Sequence, residues 1–239
     1  MCQHRELPPV VIASGGIVHD FPASSAELAA ILTECGFPHA TVTEDVDGLF
    51  ADLPIDPEPP LVVLNMLRFR MELERYAHLR EQWALSLRTD AKAGLAEHIR
   101  SGGGLLAMHG AAICFDDWPE WKDLLGGQWL WDRSCHPPFG PISVTVSTNA
   151  SPIVAGVSDF DLNDEAYGFL DLADDVEGLA FSTHSGSSHP LLWTRHVGRG
   201  RVAYDALGHD VASLRVPEHR TIVSRAALWA AGADSSLPS

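Results

Sequence analysis

Three of the twelve histidines close apolar runs, and a fourth sits in a proline-rich loop. His19 follows Val10-Val11-Ile12-Ala13-Ser14-Gly15-Gly16-Ile17-Val18. His109 ends Gly104-Leu105-Leu106-Ala107-Met108. His209 closes Val202-Ala203-Tyr204-Asp205-Ala206-Leu207-Gly208, and His136 lies in Ser134-Cys135-His136-Pro137-Pro138. Imidazole moves protons near neutral pH and is the commonest metal ligand. Three or four imidazoles with one carboxylate can hold zinc or another divalent ion. His19, His109, His136 and His209 are therefore the candidate ligands of a divalent metal. No HxH or HExxH spacing is present, so this expectation rests on convergence in space. Any single strand-end histidine can instead be a core residue satisfied by backbone; four together make that reading weaker.

Convergence needs elements that end at one edge. Short apolar runs closed by Gly and a polar residue read as buried parallel strands. Residues 10–14, 40–43, 61–66 and 104–109 have that form. Between them, Ser24 and Glu27 have capping-box spacing, predicting a helix from Ser24 to about Cys35. Residues 71–87 read as a surface helix or lid, and 90–100 as another helix, ended by Ser101-Gly102-Gly103-Gly104. The pattern then changes. Residues 142–147 alternate with period 2, and 177–183 and 191–207 read as strands, the last broken by a hairpin turn at Gly198-Arg199-Gly200. Residues 216–231 close as an amphipathic helix. The expected fold is α/β: a doubly wound, mostly parallel sheet flanked by helices, with β-hairpin strands added in the C-terminal half. Ligands of such sheets bind beyond the carboxyl ends of the strands, where these histidines fall. One domain over 1–239 is expected, with 232–239 as a flexible tail.

Composition narrows the partners. Hydrophobic residues make up 46% of 239, enough for a sizeable core. The formal charge is -16, from 16 Lys+Arg against 32 Asp+Glu. Nucleic acid and anionic membrane surfaces are polyanions, so neither is an expected partner. No apolar stretch is long enough to span a bilayer, and residues 1–9 lack an apolar signal core. Cys2, Cys35, Cys114 and Cys135 are scattered without a CxxC pair, as reduced cytosolic thiols are. A cytoplasmic protein is expected, and a homo-oligomer is compatible with this composition. Gly102-Gly103-Gly104 precedes a strand, and Gly15-Gly16 lacks GxGxxG, so no NAD site is expected.

Taken in order, these motifs resemble the ThuA-like (trehalose utilisation) family, within the class I glutamine amidotransferase-like superfamily. The matching pieces are Gly15-Gly16 with His19, then Ser101 to Ala112 around His109, and Trp118-Pro119 with Leu125-Gly126-Gly127. His136-Pro137, Asp164-Glu165-Ala166-Tyr167 and Gly200 to His209 complete the set. They span about residues 10 to 231. The resemblance implies a flavodoxin-like, amidotransferase-like fold. That superfamily's amidotransferases carry a nucleophilic Cys on a sharp strand-to-helix turn, and here the turn carries His109. Cys114 lies five residues on, off the turn, so glutaminase chemistry is not expected. Gly110, Ala166, Pro138 and Phe139 depart from the commoner family pattern.

The resemblance also marks Asp164, Glu165 and Tyr167, within an acidic stretch that would otherwise read as a solvated loop. A carboxylate facing imidazoles can act as base, ligand or orienter. Glu165 is the expected base, with Asp164 as its runner-up and His109 as the third catalytic group. Tyr167, Trp118 and Asn65 are the expected substrate contacts. Trp118, Trp121, Trp129 and Trp131 could offer aromatic faces to a sugar or pack a helix. What the resemblance implies is carbohydrate catabolism, on trehalose, another disaccharide or a keto-sugar, by lyase, hydrolase or isomerase chemistry. The rival is a non-catalytic ligand-binding or regulatory protein on an amidotransferase-like fold without the nucleophile.

Overall fold

The computed structural model describes residues 6–54, 59–148 and 151–233. Strand β1 (Val10–Gly16) leads into helix α1 (Phe21–Glu34), followed by β2 (Thr41–Thr43) and α2 (Val46–Ala51). Then come β3 (Leu61–Leu67), α3 (Ala77–Trp83), α4 (Thr89–Arg100), β4 (Gly104–Met108) and α5 (Glu120–Leu125). A run of strands comes next: β5 (Gly127–Gln128), β6 (Gly140–Val146), β7 (Phe160–Asp164), β8 (Asp171–Leu172), β9 (Glu177–His184), β10 (Ser187–Val197) and β11 (Gly200–Asp205). Helices α6 (Val211–Leu214) and α7 (Pro217–Ala230) complete the order.

Nine of these strands form one sheet, in the order β2-β1-β3-β4-β11-β10-β9-β6-β7. The pairings from β2 to β11 are parallel. Those from β11 to β7 are antiparallel. Parallel strands need coverage on both faces. Accordingly, every residue of β3 and β4 is buried. Helices α1, α6 and α7 pack on one another and on the sheet, while α2 packs on α4. The chain is thus a mixed α/β protein with a large central sheet and flanking helices.

Three expectations need correction. The sheet is not mostly parallel: half of its pairings among the described residues are antiparallel, because the hairpins β9-β10 and β10-β11 continue the same sheet. Helix α1 begins three residues before Ser24. The Asp20 carboxylate accepts from the Ala23 backbone N–H at 3.1 Å, and Pro22 suits the first turn, where its missing N–H costs nothing. Ser24 and Ser25 therefore turn inward. The segment 71–87 is not one helix; a 3-10 turn, Glu74–Tyr76, precedes α3, which buries no side chain. The expected tail at 232–239 lies outside the described residues from 234 onward.

The β6-β7 ribbon bridges two distant parts of the sheet. Strand β6 joins the main sheet only through Thr145 and Val146, opposite Phe181 and Ala180. Its remaining length pairs with β7, from Gly140 opposite Asp164 to Val144 opposite Phe160. The ribbon therefore splays from the sheet. The carboxyl end of β7 meets the loop after β11, where the Gly208 N–H donates to Asp164 at 2.8 Å.

Candidate functional site

Four chain segments deliver the site. His19 stands three residues beyond β1, His109 directly after β4, His209 four residues beyond β11, and Glu165 directly after β7. One ligand-capable atom from each of these side chains lies within 4.8 Å of the others. The imidazole rings of His19 and His109 meet edge-on at 4.8 Å, and those of His19 and His209 at 4.5 Å.

Each loop is bent for the purpose. Gly16 has φ +130°, and a Cβ there would sit 2.2 Å from the Leu67 carbonyl oxygen, so only glycine fits. Val18, at φ +76° and largely exposed, adopts a conformation that β-branched residues avoid. That strain sits beside His19, where surrounding structure must hold it. His109 itself has φ +38°, the sharp turn at which β4 breaks into a short 3-10 segment. The Tyr204 hydroxyl donates to the His109 carbonyl at 2.7 Å and fixes this turn.

Hydrogen bonds set the His109 tautomer. Its Nδ1 lies 2.6 Å from the Ala206 carbonyl oxygen, which can only accept, so Nδ1 carries a proton. In the neutral ring, Nε2 is then a lone pair facing the site, and the Tyr167 hydroxyl donates to it at 3.2 Å. Burial raises the Tyr167 phenol well above its ordinary value, so it remains a donor.

Glu165 stands at the centre. Its Oε2 is 3.4 Å from both His109 Nε2 and His209 Nδ1, and its Oε1 is 3.7 Å from His136 Nδ1. Burial alone would raise its carboxyl. Hydrogen bonding by His109 and His209, and the field of these imidazoles, outweigh burial and hold it well below the usual carboxylate range. The same contact with Glu165 raises His209 against the opposing effect of burial. His19 moves the other way, to about 3, by burial and by its neighbours His109 and His209. Its imidazole is neutral at neutral pH.

These residues fit a cation. The buried Nδ1 atom of His19 has no hydrogen-bond partner. In addition, His109 Nε2 and Glu165 Oε2 are both acceptors brought to 3.4 Å, which requires a proton or a cation between them. Three imidazoles and a carboxylate are a donor set that zinc accepts.

Asp164 plays a different part from Glu165. It is fully buried, and its two oxygens accept from the backbone N–H of Glu165 at 2.7 Å, Gly208 at 2.8 Å and His209 at 3.4 Å, and from the Ser213 hydroxyl. Such a carboxylate orients the His209 loop and is already occupied by donors from the protein itself. His136 stays at the rim, one-third exposed, with Nδ1 donating to the Pro137 carbonyl at 2.8 Å.

The cluster opens into a cavity of about 560 Å³. Tyr167, Trp129, Trp131, Phe69 and Tyr76 wall it. Two expected substrate contacts are placed elsewhere. Trp118 is buried and stacks on Trp121 at 6.0 Å. Asn65 is buried too, and its amide donates to the Ser24 and Ser25 hydroxyls at 2.9 Å each, tying β3 to α1. Trp129 and Trp131, from the same tryptophan cluster, take the wall instead. Arg75 and Tyr76 belong to the segment expected as a surface helix or lid, but nothing in their spacing points to the cavity. Cys114 is wholly buried, its thiol pushed up to about 12 by that burial. It is not a thiolate nucleophile.

Comparison with known proteins agrees with this architecture. Residues 10–230 match the ThuA family model, described as trehalose utilisation. The chain belongs to the ThuA family, and that membership supports a carbohydrate-related role. A ThuA-like protein from Parabacteroides merdae superposes with a TM-score of 0.74 at 19% identity, covering 95% of this chain and 90% of that one. A ThuA-like protein from Bacteroides uniformis gives 0.63 at 16% identity, covering 96% and 94%. A cytoplasmic protein from Salmonella typhimurium LT2 gives 0.61 at 13% identity, covering 96% and 100%. No curated protein sequence matches the chain. Among the described residues, no helix is long and apolar enough to cross a membrane.

Proposed function

We propose that this chain is a sugar-directed enzyme in which Glu165 and His109 do the acid–base work. The observation that carries this reading is the convergence of His19, His109, His209 and Glu165 within 4.8 Å, where they adjoin an aromatic-walled cavity. Cavities of this size hold a mono- or disaccharide, and aromatic faces suit the C–H faces of sugar rings. Family membership supports the choice of sugar as ligand class.

The chemistry comes from the side chains. Glu165 takes a proton from water or from a carbon beside a sugar carbonyl. The His109 Nε2 edge faces the same place, with its tautomer fixed by Ala206 and its orientation by Tyr167. Asp164 holds the His209 loop through the backbone N–H groups of Gly208 and His209. Burial and the cavity walls limit water around the carboxylate. A divalent ion such as zinc, held by His19, His109 and His209 with Glu165 beside it, would polarise a sugar oxygen, and His109 Nε2 would then serve as its ligand in place of moving a proton. Lyase, hydrolase and isomerase reactions on glycosides or keto-sugars all use these parts.

Two measurements test the reading. Freshly purified, untagged full-length chain is analysed for metals and screened against disaccharides, their 3-keto forms and simple glycosides. The expected result is about one divalent ion per chain and turnover of at least one sugar, both lost in His109→Ala. A chain that neither binds nor converts any sugar on this panel would contradict the proposal.

A further inference from the structure

The chain has many more acidic than basic groups, and its described cations are nearly all engaged. Arg70, Arg88, Arg100, Arg195, Arg215 and Arg220 pair with carboxylates, as do Lys92, Lys122 and Arg133. Arg68, Arg80, Arg199, Arg201 and Arg225 donate to backbone carbonyls. Among the described residues, Arg75 is the one cationic side chain with neither an ion pair nor a hydrogen bond. It is also a cavity-lining residue.

Arg75 is nonetheless held. Its guanidinium carbon lies 4.9 Å from the centre of the Tyr76 ring and 5.7 Å from that of Trp131. The two rings stand 6.1 Å apart, and Phe69 closes the set at 4.9 Å from Trp131 and 5.1 Å from Tyr76. Cation–π contact steadies the guanidinium plane and leaves its five N–H donors unused. Arginine matches carboxylate and phosphate geometry with two parallel hydrogen bonds.

Arg75 and Glu165 both line the cavity. Arg75 is the one cationic side chain among the residues lining the cavity. We propose that the cavity selects a sugar carrying a carboxylate or phosphate, gripped by Arg75 on the Tyr76–Trp131 platform, with its hydroxyl or carbonyl end toward Glu165 and the histidines. The inference rests on the sugar reading of the same site and narrows it from sugars in general to acidic or phosphorylated ones.

Matched ligands separate the two claims. Binding of glucose, glucuronate and glucose 6-phosphate to the full chain is measured by calorimetry, for wild type, Arg75→Gln and Arg75→Lys. Acetate and inorganic phosphate serve as anions without a sugar. The expected result is that one anionic sugar binds at least about tenfold tighter than glucose, a usual scale for one charge-assisted contact. A lead for glucuronate assigns carboxylate, and a lead for glucose 6-phosphate assigns phosphate. The anionic-to-neutral ratio should fall to near one in Arg75→Gln, recover in part in Arg75→Lys, and shrink with added salt. If glucose binds wild type as tightly as both anionic sugars, the inference is overturned while the sugar site stands. A ratio unchanged in Arg75→Gln also overturns it, as does an anion without a sugar binding as tightly as the anionic sugar. If no sugar binds at all, the sugar reading falls and the inference with it.

Discussion

The Asp164 carboxylate accepts the Gly208 N–H at 2.8 Å and thereby ties the end of β7 to the loop after β11, though three strands separate them in the sheet. This link sets Glu165 beside His209. Removing it should damage stability and site together. Asp164→Ala leaves the buried donors of Gly208, His209 and Ser213 without an acceptor, which costs roughly 3–5 kcal/mol of unfolding free energy. Asp164→Asn keeps one acceptor and should cost about half as much. Because this carboxylate orients the loop of His209, a ligand in the proposed metal site, Asp164→Asn should also weaken binding of zinc by roughly 10–100-fold. Urea titration and zinc calorimetry read the two effects. A folded Asp164→Asn chain with unchanged zinc affinity would show that the loop is held by other means.

The turn after β4 distinguishes an imidazole site from a thiol one. Cys114 is buried, and its thiol donates weakly toward the Met66 and Gly110 carbonyls. Cys114→Ala should lower stability by roughly 1–2 kcal/mol, the scale of a lost sulfur and its small cavity. It should leave turnover within about twofold, because a non-contacting residue changes no transition-state interaction. His109→Ala should abolish turnover. Inactivation by a thiol reagent at Cys114, prevented by substrate, would reverse this assignment.

A second buried imidazole makes stability depend on pH. His219 is fully buried, with Nε2 3.1 Å from Asp205 and Nδ1 donating to the Ser213 carbonyl at 2.9 Å. Burial lowers its pKa, but the charge and hydrogen bond of Asp205, with Asp164 nearby, outweigh that and raise it above the ordinary value. A raised folded-state pKa stabilises the fold fully below the unfolded value of about 6.5 and loses that contribution as pH rises through the folded value. The urea midpoint of wild type should therefore fall on going from neutral to alkaline pH, and this fall should shrink in His219→Gln. Parallel profiles for the two chains would contradict the ionised pair.

Much of the parallel half is legible in the sequence because burial on both faces leaves near-continuous apolar runs, as in β3 and β4. The sharp turn at His109 is also readable, from the family resemblance that places a strand-to-helix turn there. Strand β7 is not, although Phe160, Leu162 and Asp164 point inward and Asp161 and Asn163 outward. Three acidic or amide residues hide a period-2 pattern that would otherwise mark a strand. The true role of Asp164 is hidden for a related reason: its partners include backbone N–H groups distant in sequence, which no local spacing encodes. Likewise Asn65 ends a buried run and has the look of a ligand contact, but Ser24 and Ser25 satisfy it once Asp20 caps α1. Arg75 carries no local signal at all, because its significance lies in the partners it lacks.

The central claim is that Glu165 is the proton-transferring carboxylate of a sugar site. Steady-state kinetics of Glu165→Gln against wild type, on whichever sugar the panel identifies, tests it most directly. Glutamine keeps the shape and one acceptor but cannot take a proton at neutral pH. The account predicts that kcat falls by about 100-fold or more, the usual scale for losing a general acid or base. Sugar affinity, measured separately by calorimetry, should stay within about tenfold, or roughly 1.4 kcal/mol. Glu165→Gln turning over that sugar as fast as wild type would contradict the claim.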